Sequence, residues 1–235
     1  MSCVTPAGMT CPEVQIQDGV LAERRARMRN LDRVLKRLFP DAHIALTYST
    51  SWELVVAVIL SAQCTDVMVN KVTVRLFRKY PTLDAYVHAD PETFAQDIHS
   101  TGFFRVKAKH ILAAARMVQG TYHGRVPCTM GDLLTLPGVA RKTANVVLVN
   151  ACGRAEGIAV DTHVRRFAIR FGLVDATDPV CIEIELMRLV PRKEWGSFTY
   201  RVIEYGRTIA PARPYDTTRD PLVTLYPPAG KVFRV

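Results

Sequence analysis

The period of its apolar residues constrains this chain more than any other feature. From about residue 21 to about residue 209 apolar side chains recur three and four positions apart, in stretches cut by Pro, Gly or a Ser/Thr/Asp start. That spacing is one face of an α-helix. Alternation, the mark of a strand, appears only in short ambiguous β-branched runs. In the first stretch Leu21, Met28, Leu31, Leu35 and Leu38 share a face opposite arginines, and Pro40 ends it. "TSWELVVAVILSAQ" reads as a buried helix starting near Ser51, an N-cap candidate with Glu53 behind it. "TDVMVNKVTVRLFRKY" follows, capped by Thr65 or Asp66, then "PETFAQDIHST", closed by Gly102, and "VKAKHILAAARMVQGTYHG". "MGDLLTL" and "ARKTANVVLVNAC" flank a Pro-Gly turn, and "DTHVRRFAIRFGL" starts at Asp161 with Val164, Phe167, Ala168 and Phe171 on one face. "PVCIEIELMRLVP" and "WGSFTYRVIEYGRTIA" are the last helices, and the Pro-rich tail after them reads as irregular. The fold class is all-α.

A chain of 235 residues is long for one core and short for two large ones, which points to two modest subdomains. The balance of 31 basic against 22 acidic residues, a net +9, favours a polyanionic partner. The longest apolar run, "LVVAVIL" at 54–60, is far too short to span a bilayer. Residues 1–20 show neither a secretory nor a transit pattern and read as a flexible leader, so a cytoplasmic, nucleoid-associated location is expected. None of the six cysteines forms a C-x-x-C pair, and buried or free thiols are expected.

The segment "LTLPGVARKTANVV" carries the chemistry. Two short helices joined by Leu136-Pro137-Gly138-Val139-Ala140 make a tight hairpin, whose exposed N–H groups at the second helix suit an anion such as a backbone phosphate. Lys142 stands at that helix mouth, where the dipole disfavours a cation. An ordinary lysine is only ~0.04% neutral at pH 7, and a helix N-terminus together with desolvation makes more free amine. The position suits a lysine that forms a Schiff base. Nineteen residues on, Asp161 caps its own helix and has a second oxygen to stabilise a sugar cation or move a proton. Each feature alone has a plain structural reading: a helix corner, a solvated lysine, an N-cap.

Together, "LPGVARKTANVVL" and "AVDTHVRR" resemble the helix-hairpin-helix DNA glycosylases, most of all endonuclease III. "ILSAQCTDVMVNKVT", "TGFFRVKA" and "VPRKEWGSFTYRVIEYGRTI" extend the likeness over roughly residues 25 to 212. The resemblance implies two helical subdomains with a DNA-binding cleft between them: a six-helix domain over 44–154 with the hairpin at 130–151, and a discontinuous one over 21–43 plus 155–235. It makes Lys142 the nucleophile and Asp161 the second catalytic residue. Gln63, Phe103 and His163 become candidates to fill the gap left by an extruded nucleotide. The family often has an aliphatic residue where Phe103 stands, and an aromatic there suits stacking on exposed bases. Gly138, Val139, Ala140, Arg141 and Arg165 become DNA-backbone candidates, with Arg24, Arg25 and Arg166 as further cations.

The expected partner is double-stranded DNA with damaged bases or abasic sites, met by a monomer. The expected activity is excision of damaged, chiefly oxidised, pyrimidines, followed by β-elimination at the abasic sugar. A glycosylase for mismatches or oxidised purines, and a non-catalytic DNA-binding protein, are the alternatives. The family's four cluster cysteines, spaced C-x6-C-x2-C-x5-C, fall here on Ala210, Thr217, Asp220 and Tyr226, so no [4Fe–4S] cluster and no other cofactor is expected. Tyr215, Leu222, Val223, Leu225 and Tyr226 are expected to pack in its place.

Overall fold

The computed structural model describes residues 17–233. Among these the chain is helical with no strand. The helices are α1 (Asp18–Leu38), α2 (Ser51–Leu60), α3 (Asp66–Lys79), α4 (Leu83–Val87), α5 (Pro91–Asp97) and α6 (Phe104–Gly120), then α7 (Met130–Thr135) and α8 (Arg141–Cys152), then α9 (Thr162–Arg170), α10 (Pro179–Met187), α11 (Trp195–Thr208) and α12 (Pro221–Leu225). The leader expected over residues 1–20 lies outside the described residues up to residue 16. The helix after it begins three residues earlier than its apolar stripe, at Asp18, whose carboxylate suits a helix start.

The helix starts follow local side-chain chemistry. Thr50, Thr65, Thr82, Asp90, Thr129, Asp161, Asp178 and Asp220 each accept a backbone N–H in the first turn of the helix that follows. Thr50, not Ser51, caps α2, and Glu53 reaches back to the Ser49 N–H at 2.6 Å. Thr65 caps α3, which leaves Asp66 inside its first turn.

The chain divides into two compact units, Ala45–Arg154 and the pair Met1–Ile44 with Ala155–Val235. The contiguous unit holds seven helices, one more than expected, because the single turn of α4 carries a core residue, Tyr86. In this unit α2 is buried nearly all round, and it packs on α3, α6 and α8. Tyr86, Tyr80, Phe94 and Trp52 meet at ring separations of 5.2 to 5.7 Å. A disulfide joins Cys128, just before the α7 cap, to Cys152, the last residue of α8. These are not the free thiols expected. Among the described cysteines Cys64 is the free one.

The discontinuous unit buries Met28, Leu31 and Leu35 of α1 with Val164, Phe167, Phe171, Phe198, Val202 and Tyr205. Arg201 of α11 bonds to Asp32 at 3.0 Å and Glu194 at 2.9 Å, which ties α11 to α1. The tail is more regular than its prolines suggest. It forms α12 and 3₁₀ turns at Thr217–Arg219 and Pro227–Lys231. Leu222 and Val223 are buried there and Tyr215 and Tyr226 pack against the core, but Leu225 is 46% exposed and takes no part.

Candidate nucleic-acid interface and catalytic residues

The hairpin between α7 and α8 is built by one turn. The Val139 N–H donates to the Leu136 carbonyl at 3.0 Å across Pro137-Gly138, and Gly138 sits at φ 81°. Pro then Gly at positive φ is the pattern of a type II turn. Gly138 has a second constraint, because a Cβ there would lie 2.9 Å from His110 Cβ on α6. Leu136 and Val139 are buried and hold the turn to the body. Val139 therefore serves as an anchor, since its side chain is buried and its N–H is spent within the turn. The N–H groups of Gly138 and Ala140, by contrast, have no acceptor among the described residues. The start of α8 at Ala140 carries no side-chain cap. Arg141 and Lys142 are its first two residues, and Lys142 is exposed. The helix mouth is thus as expected, but the expected desolvation of Lys142 is not supplied by burial.

A cavity of about 490 Å³ opens beside the turn, lined by Gly138, Val139, Ala140, His110, Gln63 and Phe103 among others. Gln63, at φ 51°, and Phe103, at φ 46°, both have left-handed backbones, which non-glycine residues adopt at a cost. Phe103 is 66% exposed and neighbours the exposed Val106 on the same cavity, so packing after Gly102 does not explain it. Sequence reading thus found five residues that the structure gathers at one cavity. It missed His110, whose approach to Gly138 no local pattern shows. It also missed Lys107, whose place in the apolar stripe of α6 with Ile111, Ala114 and Val118 was readable.

In the other unit Asp161 caps α9 through Oδ1, which accepts the Val164 N–H at 2.8 Å. Its Oδ2 makes no hydrogen bond among the described residues. His163 is turned onto α11: a Cβ on Gly206 would lie 2.2 Å from its Nδ1. Burial holds the His163 imidazole below the ordinary histidine value, the Asp161 carboxylate opposing and Arg166 and Arg207 assisting. Arg165 donates to the Thr177 carbonyl at 3.1 Å and Arg166 to the Ala210 carbonyl at 2.9 Å. Arg24 is buried and paired with Asp175 and Glu185, so it is not a surface cation.

The four positions that resemblance assigns to cluster cysteines hold no thiol, and their surroundings have other uses. Asp220 is 1% exposed. Its Oδ2 accepts the hydroxyls of Tyr205, at 2.5 Å, and Tyr215, and its Oδ1 caps α12. Burial and this carboxylate push both phenols above the ordinary tyrosine value. Arg170 reaches the same network through the Tyr215 hydroxyl at 2.7 Å and the Ala229 carbonyl at 2.8 Å. Tyr226 lies under the Arg27 guanidinium, 4.1 Å from its ring centre, and Ala210 is buried. Among the described residues no three His, Cys, Asp or Glu side chains converge as a metal site. The residues present do not fit a thiolate-held cluster.

Comparison with known proteins agrees with the motif reading. Residues 56–192 match the family described as HhH-GPD superfamily base excision DNA repair protein. Endonuclease III of Synechocystis sp. is 49% identical over 82% of this chain and 88% of its own length. Endonuclease III of Bacillus subtilis is 44% identical over 80% and 86%. A solved structure of a trapped endonuclease III–DNA covalent intermediate is 40% identical, with a TM-score of 0.84 over 89% of this chain and 99% of that one. A thermostable thymine-DNA glycosylase shares the fold at a TM-score of 0.75. An all-α chain with an uncapped helix mouth at Lys142, a capping aspartate before Thr-His and relatives this similar belongs to the endonuclease III family of the HhH-GPD superfamily of base-excision DNA repair proteins.

Proposed function

We propose that this chain removes damaged, chiefly oxidised, pyrimidines from double-stranded DNA and then cleaves the strand at the abasic sugar. The observation that carries the reading is the exposed Lys142 in the uncapped first turn of α8, beside a cavity rimmed by the two strained residues Gln63 and Phe103. Open N–H groups at Gly138 and Ala140 suit a backbone phosphate, a contact that carries no sequence information. Gln63 and Phe103 suit the space an extruded nucleotide leaves, Phe103 by stacking.

The chemistry assigned to Lys142 is nucleophilic. Its neutral amine attacks C1′ of the sugar, the glycosidic bond breaks and the base leaves with the electron pair. The aminal formed at C1′ gives up an amine proton, and the C1′–O4′ bond opens with O4′ taking up a proton. The resulting iminium loses a C2′ proton, so that the 3′ phosphate departs by β-elimination. Asp161 supplies a carboxylate that stabilises positive charge developing on the sugar. The tail replaces the cluster with the Asp220 network, so the enzyme works without iron. No described helix is long and apolar enough to cross a membrane, and the proposed setting is a cytoplasmic monomer on DNA.

Borohydride trapping on abasic duplex tests the assignment. Wild-type protein should give a covalent adduct. Lys142→Ala should lose it and keep most DNA affinity. Lys142→Arg should also lose it, because guanidinium keeps the charge but stays protonated. Wild-type adduct yield from Lys142→Arg would assign the nucleophile to another amine.

A further inference from the structure

Lys107 is a buried cation without a carboxylate. Its side chain is on the buried face of α6, and the residue is 4% exposed. Its ammonium donates to the Leu60 carbonyl at 2.8 Å and to the Thr101 carbonyl at 2.7 Å. Its backbone N–H donates to the Phe103 carbonyl at 3.0 Å. Burying a charge that no anion balances is costly, and an apolar side chain of similar length would fill the space more cheaply. Leu60 ends α2, where the helix dipole favours a cation, which offsets part of the cost. Burial holds the ammonium below the ordinary lysine value, with Cys64 opposing.

What the three bonds join is specific. Leu60 lies three residues before Gln63, and Thr101 two residues before Phe103. Gln63 and Phe103 are the two left-handed residues other than glycine on the cavity, and Lys107 lines that cavity as well. The two turns come from segments about forty residues apart, and one ammonium spans both. Each carbonyl is a short lever from the side chain it steers, with no regular element between.

We propose that Lys107 is a positioning residue for nucleotide extrusion: by bridging the Leu60 and Thr101 carbonyls it sets the spacing of Gln63 and Phe103. The proposal rests on the base-excision reading above, in which those two residues enter the duplex. Lys107 itself touches neither the sugar nor the base. Its effect is therefore confined to substrates in which a gap in a duplex must be filled.

The test uses the full chain and one oligonucleotide with a single abasic site, presented as a duplex and as a single strand. Single-turnover borohydride trapping at saturating protein gives a rate on each. Lys107→Met, which keeps the length but not the donors, should slow the duplex rate about tenfold or more, as sub-ångström misplacement does. The single-strand rate should stay within about twofold, since no opposing strand has to be held open. In a Gln63→Ala/Phe103→Ala background, Lys107→Met should cost the duplex rate little more, because both changes act through one device. Equal losses on both substrates, no loss on either, or full additivity in that background would each overturn the proposal. Should Lys107→Met not fold, Lys107→Gln keeps a donor, and the same duplex-to-single-strand ratio decides. Absence of any adduct in the wild type, or its survival in Lys142→Ala, would instead overturn the base-excision reading and remove the proposal's footing.

Discussion

Asp161 has two jobs in this account, and a single-atom exchange separates them. Its Oδ1 caps α9 by accepting the Val164 N–H at 2.8 Å, while Oδ2 makes no hydrogen bond among the described residues. Asp161→Asn keeps the capping oxygen and loses the charge. Asparagine caps about as well as aspartate, so the cost in stability is a few tenths of a kcal/mol from the cap. Loss of charge at a helix N-terminus adds about 0.3–1 kcal/mol. Asp161→Ala loses the same charge and, in addition, removes the bond and leaves the Val164 N–H orphaned, for about a further 1 and at most about 2 kcal/mol. Catalysis orders the variants differently. If the carboxylate supports the charged sugar, both should lose roughly 10²–10⁴-fold in single-turnover excision. Urea unfolding should therefore rank Asn between wild type and Ala, while the rates of Asn and Ala fall together. The Asp161→Asn variant should also lower the His163 titration further, because the carboxylate charge now opposes the effect of burial. Rates that follow stability, with Asn close to wild type, would refute the catalytic role and leave Asp161 as a cap.

Gly138→Ala should destabilise the contiguous unit by roughly 2–4 kcal/mol, summing a left-handed backbone penalty and a 2.9 Å approach to His110 Cβ. His110→Ala should relieve little of that, because the contacting Cβ remains; near-neutral Gly138→Ala in chemical denaturation would contradict the turn geometry. Natively purified protein should carry no stoichiometric iron, and Tyr205→Phe should cost about 1.5–3 kcal/mol by removing a hydroxyl from buried Asp220. Iron at cluster stoichiometry would overturn that view of the tail. Because the phenols of Tyr205 and Tyr215 are raised on folding, their contribution to stability is intact below about pH 10 and is lost as pH rises through the folded values; a flat alkaline unfolding profile would argue against the network. Affinity for undamaged duplex should fall steeply with salt through counterion release, and a salt-independent affinity would count against backbone contact.

What this sequence determined by itself is what depends on neighbours in the chain. The helical period placed the all-α class and nearly every long helix, because a helix's apolar stripe is written within its own residues. Pro137-Gly138 specified its turn, since only glycine takes φ 81° at no steric cost, and Asp161 announced its cap three residues ahead of the N–H it accepts. The family followed from the same local blocks. Errors at this level were small: one residue at Thr50 for Ser51, where two adjacent hydroxyls offer the same cap chemistry, three residues at the start of α1, and the single turn of α4, too short to write a stripe of its own.

Tertiary structure decided whatever needed two distant segments to meet. The Cys128–Cys152 disulfide joins residues 24 apart whose spacing fits no familiar pattern. The Asp220 hub needs Tyr205, Tyr215 and Arg170 to converge from three segments, so the tail's composition pointed only to irregularity. The exposure of Lys142 and Phe103 depends on what the rest of the fold leaves uncovered. Lys107 shows the division most clearly. Its place in an apolar stripe was legible, but its two acceptors, Leu60 and Thr101, lie 47 and 6 residues away, and only folding brings both carbonyls to one ammonium.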